Sequence, residues 1–105
     1  MEIEGFLMKE YTTKEVEEML KNGLHLNLID VREIEEVEAG KIPGAVNIPL
    51  GQLEFRWTEL EKEKEYVVVC RSGGRSGRAV QFLESQGLRV VNMVGGMLKW
   101  EGEVE

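Results

Sequence analysis

Short apolar runs alternate along the chain with stretches whose apolar residues recur at helical spacing. The clearest run covers residues 66–69, where one tyrosine and three valines predict a buried strand. Four further runs are predicted to be strands, at residues 3–8, 24–31, 45–48 and 89–94. Between these runs lie the stretches that we expect to be helical.

Capping residues and glycines indicate where these helices begin and end. Thr12 followed by Glu15 has the capping-box spacing and predicts a first helix, which Gly23 is expected to end. Asp30 followed by Glu33 has the same spacing and predicts a second, short helix. A longer amphipathic helix precedes Gly87, and its expected buried residues are Ala79, Val80, Phe82 and Leu83.

Strands that alternate with helices are typical of an α/β fold with a mostly parallel sheet and helices on both faces. The 105 residues suffice for a single domain, which we place at residues 1–105. In such sheets, ligands bind beyond the carboxyl ends of the strands. Cys70 directly follows the strand predicted at residues 66–69, so this rule points to Cys70.

The composition excludes several classes of function for this chain. A net charge of −7 disfavours non-specific binding to nucleic acid or to an anionic membrane surface. The single cysteine excludes an intramolecular disulfide, a C-x-x-C pair and a zinc site with two thiolates. The single histidine argues against a His-rich metal site, so we expect neither a metal nor another cofactor. The acidic first ten residues do not resemble a signal peptide, and we expect a soluble cytoplasmic protein with a free thiol.

A loop rich in glycine and arginine follows the buried strand. Gly73 and Gly74 allow backbone N–H groups to converge on one point, which makes an anion-binding nest. The helix that follows adds unpaired N–H groups and the positive end of its dipole. Three arginines within residues 70–78 add positive charge, and Arg78, the deepest in the helix, is expected to lie on the surface. These surroundings predict a lowered pKa for Cys70, whose thiolate is the nucleophilic form.

The spacing from Cys70 to Arg75 is C-x4-R. Cysteine-dependent phosphatases use a longer C-x5-R loop, which wraps a tetrahedral phosphate. One residue fewer makes a tighter ring of amides. A tighter ring suits the outer sulfur of a persulfide or one end of thiosulfate.

Three motifs follow one another along the chain. They are L-I-D-V-R-E at residues 28–33 with G-K-I-P-G-A-V-N-I-P at 40–49, C-R-S-G-G-R-S at 70–76, and V-G-G at 94–96 with Trp100. Together they resemble the rhodanese-type sulfurtransferases, which have a D-x-R-E strand end, a G-H-I-P-G-A-x-N-I-P turn, a six-residue active-site loop and a C-terminal G-G-x-x-x-W. The resemblance covers nearly the whole chain. It implies a rhodanese domain with a central parallel five-stranded sheet.

The resemblance also implies a reaction. Cys70 would take a sulfane sulfur from a small donor, such as thiosulfate or a persulfide, and hold it as a persulfide. A thiol, cyanide or a protein would then accept the sulfur. For the chain itself we expect a monomer or a weak homodimer. The implied substrate-binding residues are Arg71, Ser72, Gly73, Gly74, Arg75 and Ser76.

Other residues are interpreted as structural. Lys41 stands where the family most often has histidine, and we interpret it as a surface residue of a turn. Asp30 is interpreted as a helix cap and Arg32 as its ion-pair or backbone partner. An exposed apolar rim near the site is predicted from Leu53, Phe55 and Trp57.

Two other functions remain open. A phosphatase or arsenate reductase of the same fold would hydrolyse an aryl phosphate or reduce arsenate with thiols, although the C-x4-R spacing counts against it. A non-catalytic binding or sulfur-carrier module would form the same Cys70 persulfide, and a partner would carry out the chemistry.

Overall fold

A five-stranded parallel sheet forms the centre of the computed structural model, which describes residues 9–105. The strands are β1 Glu10–Thr12, β2 Asn27–Asp30, β3 Val46–Asn47, β4 Glu65–Val69 and β5 Arg89–Val94. They lie in the order β1-β5-β4-β2-β3, and each strand runs parallel to its neighbours. The predicted α/β fold with a parallel sheet is therefore confirmed.

Helices connect the strands and cover the sheet. They are α1 Thr13–Lys21, α2 Ile34–Glu38, α3 Leu53–Arg56, α4 Gly74–Ser85 and α5 Gly96–Lys99. Single 3₁₀ turns at Leu50–Gln52 and Trp57–Glu59 flank α3. Within residues 9–105, every helix is too short or too polar to cross a bilayer.

The two faces of the sheet each pack on a separate apolar cluster. Successive strand residues point to opposite faces, so Val67 and Val69 join Val16 of α1, whereas Val68 and Cys70 join Leu83 of α4. Both clusters are buried, as expected for a parallel sheet with helices on both sides. Cys70 thus belongs to the face that α4 covers.

The ends of α1 follow the sequence prediction. The Glu15 amide donates to Thr12 Oγ1 over 3.0 Å, and the Thr12 amide donates back to Glu15 Oε1 over 2.8 Å. Gly23 has a φ of +81° just after the helix, which glycine adopts without a steric penalty. The Leu24 amide then donates to the carbonyl of Met19, which completes a Schellman motif. Leu24 therefore lies in the turn, and β2 is shorter than the predicted run.

The predicted cap at Asp30 is wrong. The N-cap of α2 is Glu33, which forms a capping box with Glu36. Asp30 is the last residue of β2 and is fully buried, so its carboxylate requires a charged partner and pairs with Arg32. The second half of the interpretation, an ion pair between Asp30 and Arg32, is confirmed.

The edge strand and the apolar rim also differ from expectation. The strand predicted at residues 3–8 lies outside the described residues, and the strand beside β5 is Glu10–Thr12, which is too short and polar to form an apolar run. The predicted rim of three residues does not form. Leu53 is buried in the core, Trp57 packs partly against it, and Phe55 alone is largely exposed, at 79%. Leu53 belongs to the apolar cluster that also contains Val68 of β4 and Leu83 of α4.

Candidate active site

Cys70 follows the last residue of β4, at the carboxyl edge of the sheet, and is fully buried. The first turn of α5 holds the chain at this point. The Met97 amide donates to the Cys70 carbonyl over 2.8 Å, and the Leu98 amide donates to the Arg71 carbonyl over 2.9 Å. The predicted location of the thiol, beyond the end of a central strand, is where the structure places it.

The glycine loop bends back over the thiol. Gly73 has a φ of +107°, and its amide donates to Cys70 Sγ over 2.9 Å. The helix α4 begins at the next residue, Gly74. The loop and the start of α4 thus direct backbone N–H groups at the sulfur, as an anion-binding nest requires.

Ser76, in the first turn of α4, is the side chain closest to the thiol in this network. Its Oγ lies 3.3 Å from Cys70 Sγ and also contacts the carbonyl of Gly73 and the side chain of Asn92. Asn92 lies on β5 and is buried. Ser76 was among the residues expected from the sequence, whereas Asn92 was not, because it lies among the apolar residues of β5.

These contacts determine the pKa of the Cys70 thiol. Burial is the largest single influence and raises the pKa, because it disfavours the charged form. Hydrogen bonds from the Ser76 hydroxyl and from the amides of Ser76, Gly73 and Ser72 favour the thiolate, and together they lower the pKa below its ordinary value. The lowered pKa of Cys70 agrees with the sequence prediction, although hydrogen bonds lower it more than the arginine charges do.

The three arginines of residues 70–78 occupy different surroundings. Arg71 and Arg78 are exposed, as predicted for Arg78. Arg75 is partly buried and makes two hydrogen bonds with the carboxylate of Glu36 in α2. These bonds are the main reason why the pKa of Glu36 falls to about 2. Glu36 was not a candidate on sequence grounds, since it lies within a run of glutamates.

A second charged pair fastens the segment that follows β2. Asp30 accepts hydrogen bonds from Arg32 Nε and Nη2, the latter over 2.8 Å, and the same Nη2 reaches the Gly40 carbonyl. Asn47 donates to the backbone carbonyls of both residues of the pair. These contacts agree with a structural role for Asp30 and Arg32.

Lys41 and the turn that follows it lie close to residue 105. The Lys41 side chain pairs with Glu105, and the backbones of the two residues exchange hydrogen bonds. Gly44 has a φ of +85°, and the Ala45 amide donates to the Ile42 carbonyl, which closes the predicted turn.

The site is not built from a cluster of metal ligands. Among residues 9–105, no three His, Cys, Asp or Glu side chains group as metal ligands. A cavity of about 640 Å³ lies beside α1 and Trp100, and the loop at residues 70–76 does not line it. What the loop offers is a set of hydrogen-bond donors around one sulfur atom.

The chain resembles known proteins along most of its length. Residues 12–103 match the family described as "Rhodanese-like domain". The Bacillus subtilis protein named "Putative sulfurtransferase YtwF" is 46% identical over 98 residues, which cover 93% of this chain and 95% of that protein. The Bacillus subtilis protein named "Putative sulfur carrier protein YrkF" is 48% identical over 81 residues, which cover 76% of this chain and 44% of that protein.

The fold also matches a solved structure. The crystal structure of a rhodanese-like domain protein from Staphylococcus aureus superposes with a TM-score of 0.88 and 36% sequence identity. The match covers 93% of this chain and 97% of the Staphylococcus chain. The structural similarity therefore extends over most of the chain.

Proposed function

Since this chain belongs to the rhodanese-like domain family, we propose that it is a sulfurtransferase that carries sulfane sulfur as a persulfide on Cys70. The observation that carries the proposal is the hydrogen bond of 2.9 Å from the Gly73 amide to Cys70 Sγ. A donor already aimed at the sulfur stabilises negative charge there without reorganisation. The names of related sulfurtransferases support the same reaction class.

The reaction has two steps, and thiosulfate is the proposed small donor. In the first, the Cys70 thiolate attacks the outer sulfur of thiosulfate. A new S–S bond forms, the S–S bond of thiosulfate breaks, and sulfite leaves with the electron pair. In the second, an acceptor such as cyanide attacks the outer sulfur of the persulfide. The S–S bond to Cys70 then breaks, and the thiolate is regenerated.

The loop favours the charged states of this cycle. We expect the amides of residues 71–75 to stabilise the outer persulfide sulfur, and the Ser76 hydroxyl lies 3.3 Å from Sγ. Both kinds of donor strengthen as negative charge develops on sulfur. Because Cys70 is the single cysteine of the chain, no second thiol competes as an internal acceptor. The sulfur is therefore passed to an external thiol, to cyanide or to a protein.

Thiocyanate formation from thiosulfate and cyanide tests this function. The wild-type chain is expected to turn over repeatedly, Cys70→Ser to form no thiocyanate, and Ser85→Ala, a change at an exposed residue of α4, to retain full activity. Full activity in Cys70→Ser would overturn the proposal. Hydrolysis of an aryl phosphate in place of thiocyanate formation would favour the phosphatase alternative.

A sulfur-carrier role is the second candidate, because one relative is named as a sulfur carrier. A carrier would form the Cys70 persulfide but would release its sulfur only to a partner protein. Single loading without repeated thiocyanate formation would therefore favour the carrier role over the enzyme.

A further inference from the structure

Asn92 lies behind the active-site loop and contacts the residue that contacts the thiol. It is buried in β5, and its Oδ1 lies 2.5 Å from Ser76 Oγ. Its Nδ2 faces the Gly73 carbonyl at 3.4 Å. Turning the amide over would bring two carbonyl oxygens together, so Oδ1 is the atom that faces Ser76.

The Ser76 hydroxyl has more acceptors than protons. It can donate one proton, and three acceptors surround it. These are Asn92 Oδ1 at 2.5 Å, the Gly73 carbonyl at 3.1 Å and Cys70 Sγ at 3.3 Å. Both lone pairs of the Gly73 carbonyl already have donors, the Gly77 amide at 3.0 Å and Asn92 Nδ2 at 3.4 Å. Asn92 and Cys70 are therefore the main competitors for the proton.

The charge on the sulfur decides which competitor receives it. When Cys70 is a thiol, its S–H donates to Ser76 Oγ, and the hydroxyl proton points to Asn92. When the S–H proton has left to solvent, the thiolate attracts the hydroxyl proton, which rotates towards Sγ. Asn92 Oδ1 then loses its donor in a buried position, which has a free-energy cost.

We propose that Asn92 is a positioning residue whose carbonyl oxygen competes with Cys70 Sγ for the single Ser76 hydroxyl proton, and so limits how readily the thiol ionises. The inference rests on the proposed function in taking Cys70 as the reacting group. In the persulfide the inner sulfur is again uncharged, and the Ser76 proton returns to Asn92. The hydroxyl only rotates, so its O–H bond stays intact throughout.

Substitution of Asn92 leaves the charged groups around the thiol in place. Charged side chains on the surrounding elements include Arg75 and Arg78 of α4, Glu36 of α2, Asp30 at the end of β2, Arg32 after β2, Arg71 of the loop and Lys99 of α5. Arg75 is paired with Glu36, and Asp30 with Arg32. Asn92 itself is uncharged, so its effect on the thiol passes through hydrogen bonding.

The test is the pH dependence of alkylation of Cys70 by iodoacetamide in the full chain. Asn92→Leu removes the competing oxygen at similar volume, so the apparent pKa of the thiol is expected to fall. Below that pKa the alkylation rate is expected to rise about two- to tenfold, the value of one neutral hydrogen bond. Val91→Ala is the matched control, because Val91 is buried on the opposite face of β5 and its loss leaves the pKa unchanged.

Ser76→Ala tests whether Asn92 acts through the Ser76 hydroxyl or only through the polarity of the surroundings of the thiol. The variant loses the donor to the thiolate and is expected to raise the pKa. Adding Asn92→Leu to Ser76→Ala is expected to change nothing further, because Asn92 acts through Ser76. Asn92→Val serves as a second variant should Asn92→Leu fail to fold.

Two results would overturn the inference. One is a thiol pKa in Asn92→Leu or Asn92→Val that equals or exceeds that of the wild type. The other is a fall of the same size with and without the Ser76 hydroxyl. Alkylation needs no sulfur donor, so a negative outcome here is distinguishable from failure of the sulfurtransferase proposal, which thiocyanate formation tests.

Discussion

Arg75 and Glu36 form a two-point ion pair across the rim of the active site, with 2.7 Å from Nη1 to Oε1 and 2.8 Å from Nη2 to Oε2. Planar, paired contacts of this kind hold both side chains in one orientation. The pair joins the first turn of α4, which directly follows the glycine loop, to α2, which follows a different strand. Glu36 therefore anchors the start of α4 and neutralises the charge of Arg75.

Glu36→Gln is expected to lower the free energy of unfolding at pH 7 by about 1 kcal/mol, a value reduced for partial solvent exposure. The pKa of Glu36 falls from an ordinary 4.5 to about 2 on folding, mainly through its bonds with Arg75. An acid whose pKa is lowered on folding stabilises the fold at pH values above its unfolded pKa. This stabilisation is lost as the pH falls through the folded pKa.

Urea denaturation of the wild type and the variant from pH 7 to pH 2 measures this effect. The difference between them is expected to shrink between about pH 4.5 and 2. Glu35→Gln, at an exposed position on the same helix, is the matched control and is expected to unfold like the wild type. If Glu36→Gln lowered the free energy of unfolding equally at pH 7 and pH 2, the ion pair would not be the source of the lost stability.

Arg75→Ala is expected to slow persulfide formation about tenfold, the value of a lost charge-assisted hydrogen bond. The variant frees the loop from α2 and removes a positive charge near the sulfur. Arg78→Ala removes the same charge from an exposed site on the same helix and is expected to stay close to the wild-type rate. Single-turnover loading with thiosulfate measures both rates, and equal effects would show that the two arginines have been assigned the wrong roles.

Gly96→Ala is expected to destabilise the fold by about 2–4 kcal/mol and to reduce thiocyanate formation. Gly96 has a φ of +56°, and a Cβ there would lie 2.4 Å from the Arg71 carbonyl oxygen and 2.5 Å from that of Cys70. A methyl group would therefore push the start of the loop out of place.

Gly51→Ala is the control for this substitution. Gly51 has no positive φ, and an added Cβ would meet no atom within 4 Å. Urea denaturation and the thiocyanate assay on both variants provide the comparison. Wild-type stability in Gly96→Ala would mean that α5 does not press on the loop as closely as the structure indicates.

Local patterns predicted the parts of the fold that local interactions determine. The capping box of Thr12 and Glu15 and the valine-rich strand β4 both formed as expected. Asp30 and Glu33 have the same capping-box spacing, but Asp30 forms an ion pair with Arg32 and does not cap a helix. A carboxylate at the buried end of a strand gains more from the neighbouring guanidinium of Arg32 than from distant helix amides.

The candidate site divides in the same way. Cys70 and the glycine loop form one continuous segment, so their proximity could be predicted from the sequence. Glu36 lies 39 residues from Arg75, and Asn92 lies 16 residues from Ser76. Such partners meet only because β2, β4 and β5 lie side by side in the sheet. The pattern of residues within one strand or helix does not predict this order of strands.

The mass of the intact chain after incubation with thiosulfate, measured without reducing agent, tests the Cys70 persulfide most directly. The wild-type chain is expected to gain one sulfur atom, and cyanide is expected to remove it as thiocyanate. Cys70→Ser is expected to gain nothing under the same conditions. The proposed chemistry would be contradicted if the wild-type mass stayed unchanged with thiosulfate and with a small persulfide donor, or if Cys70→Ser gained the same sulfur atom.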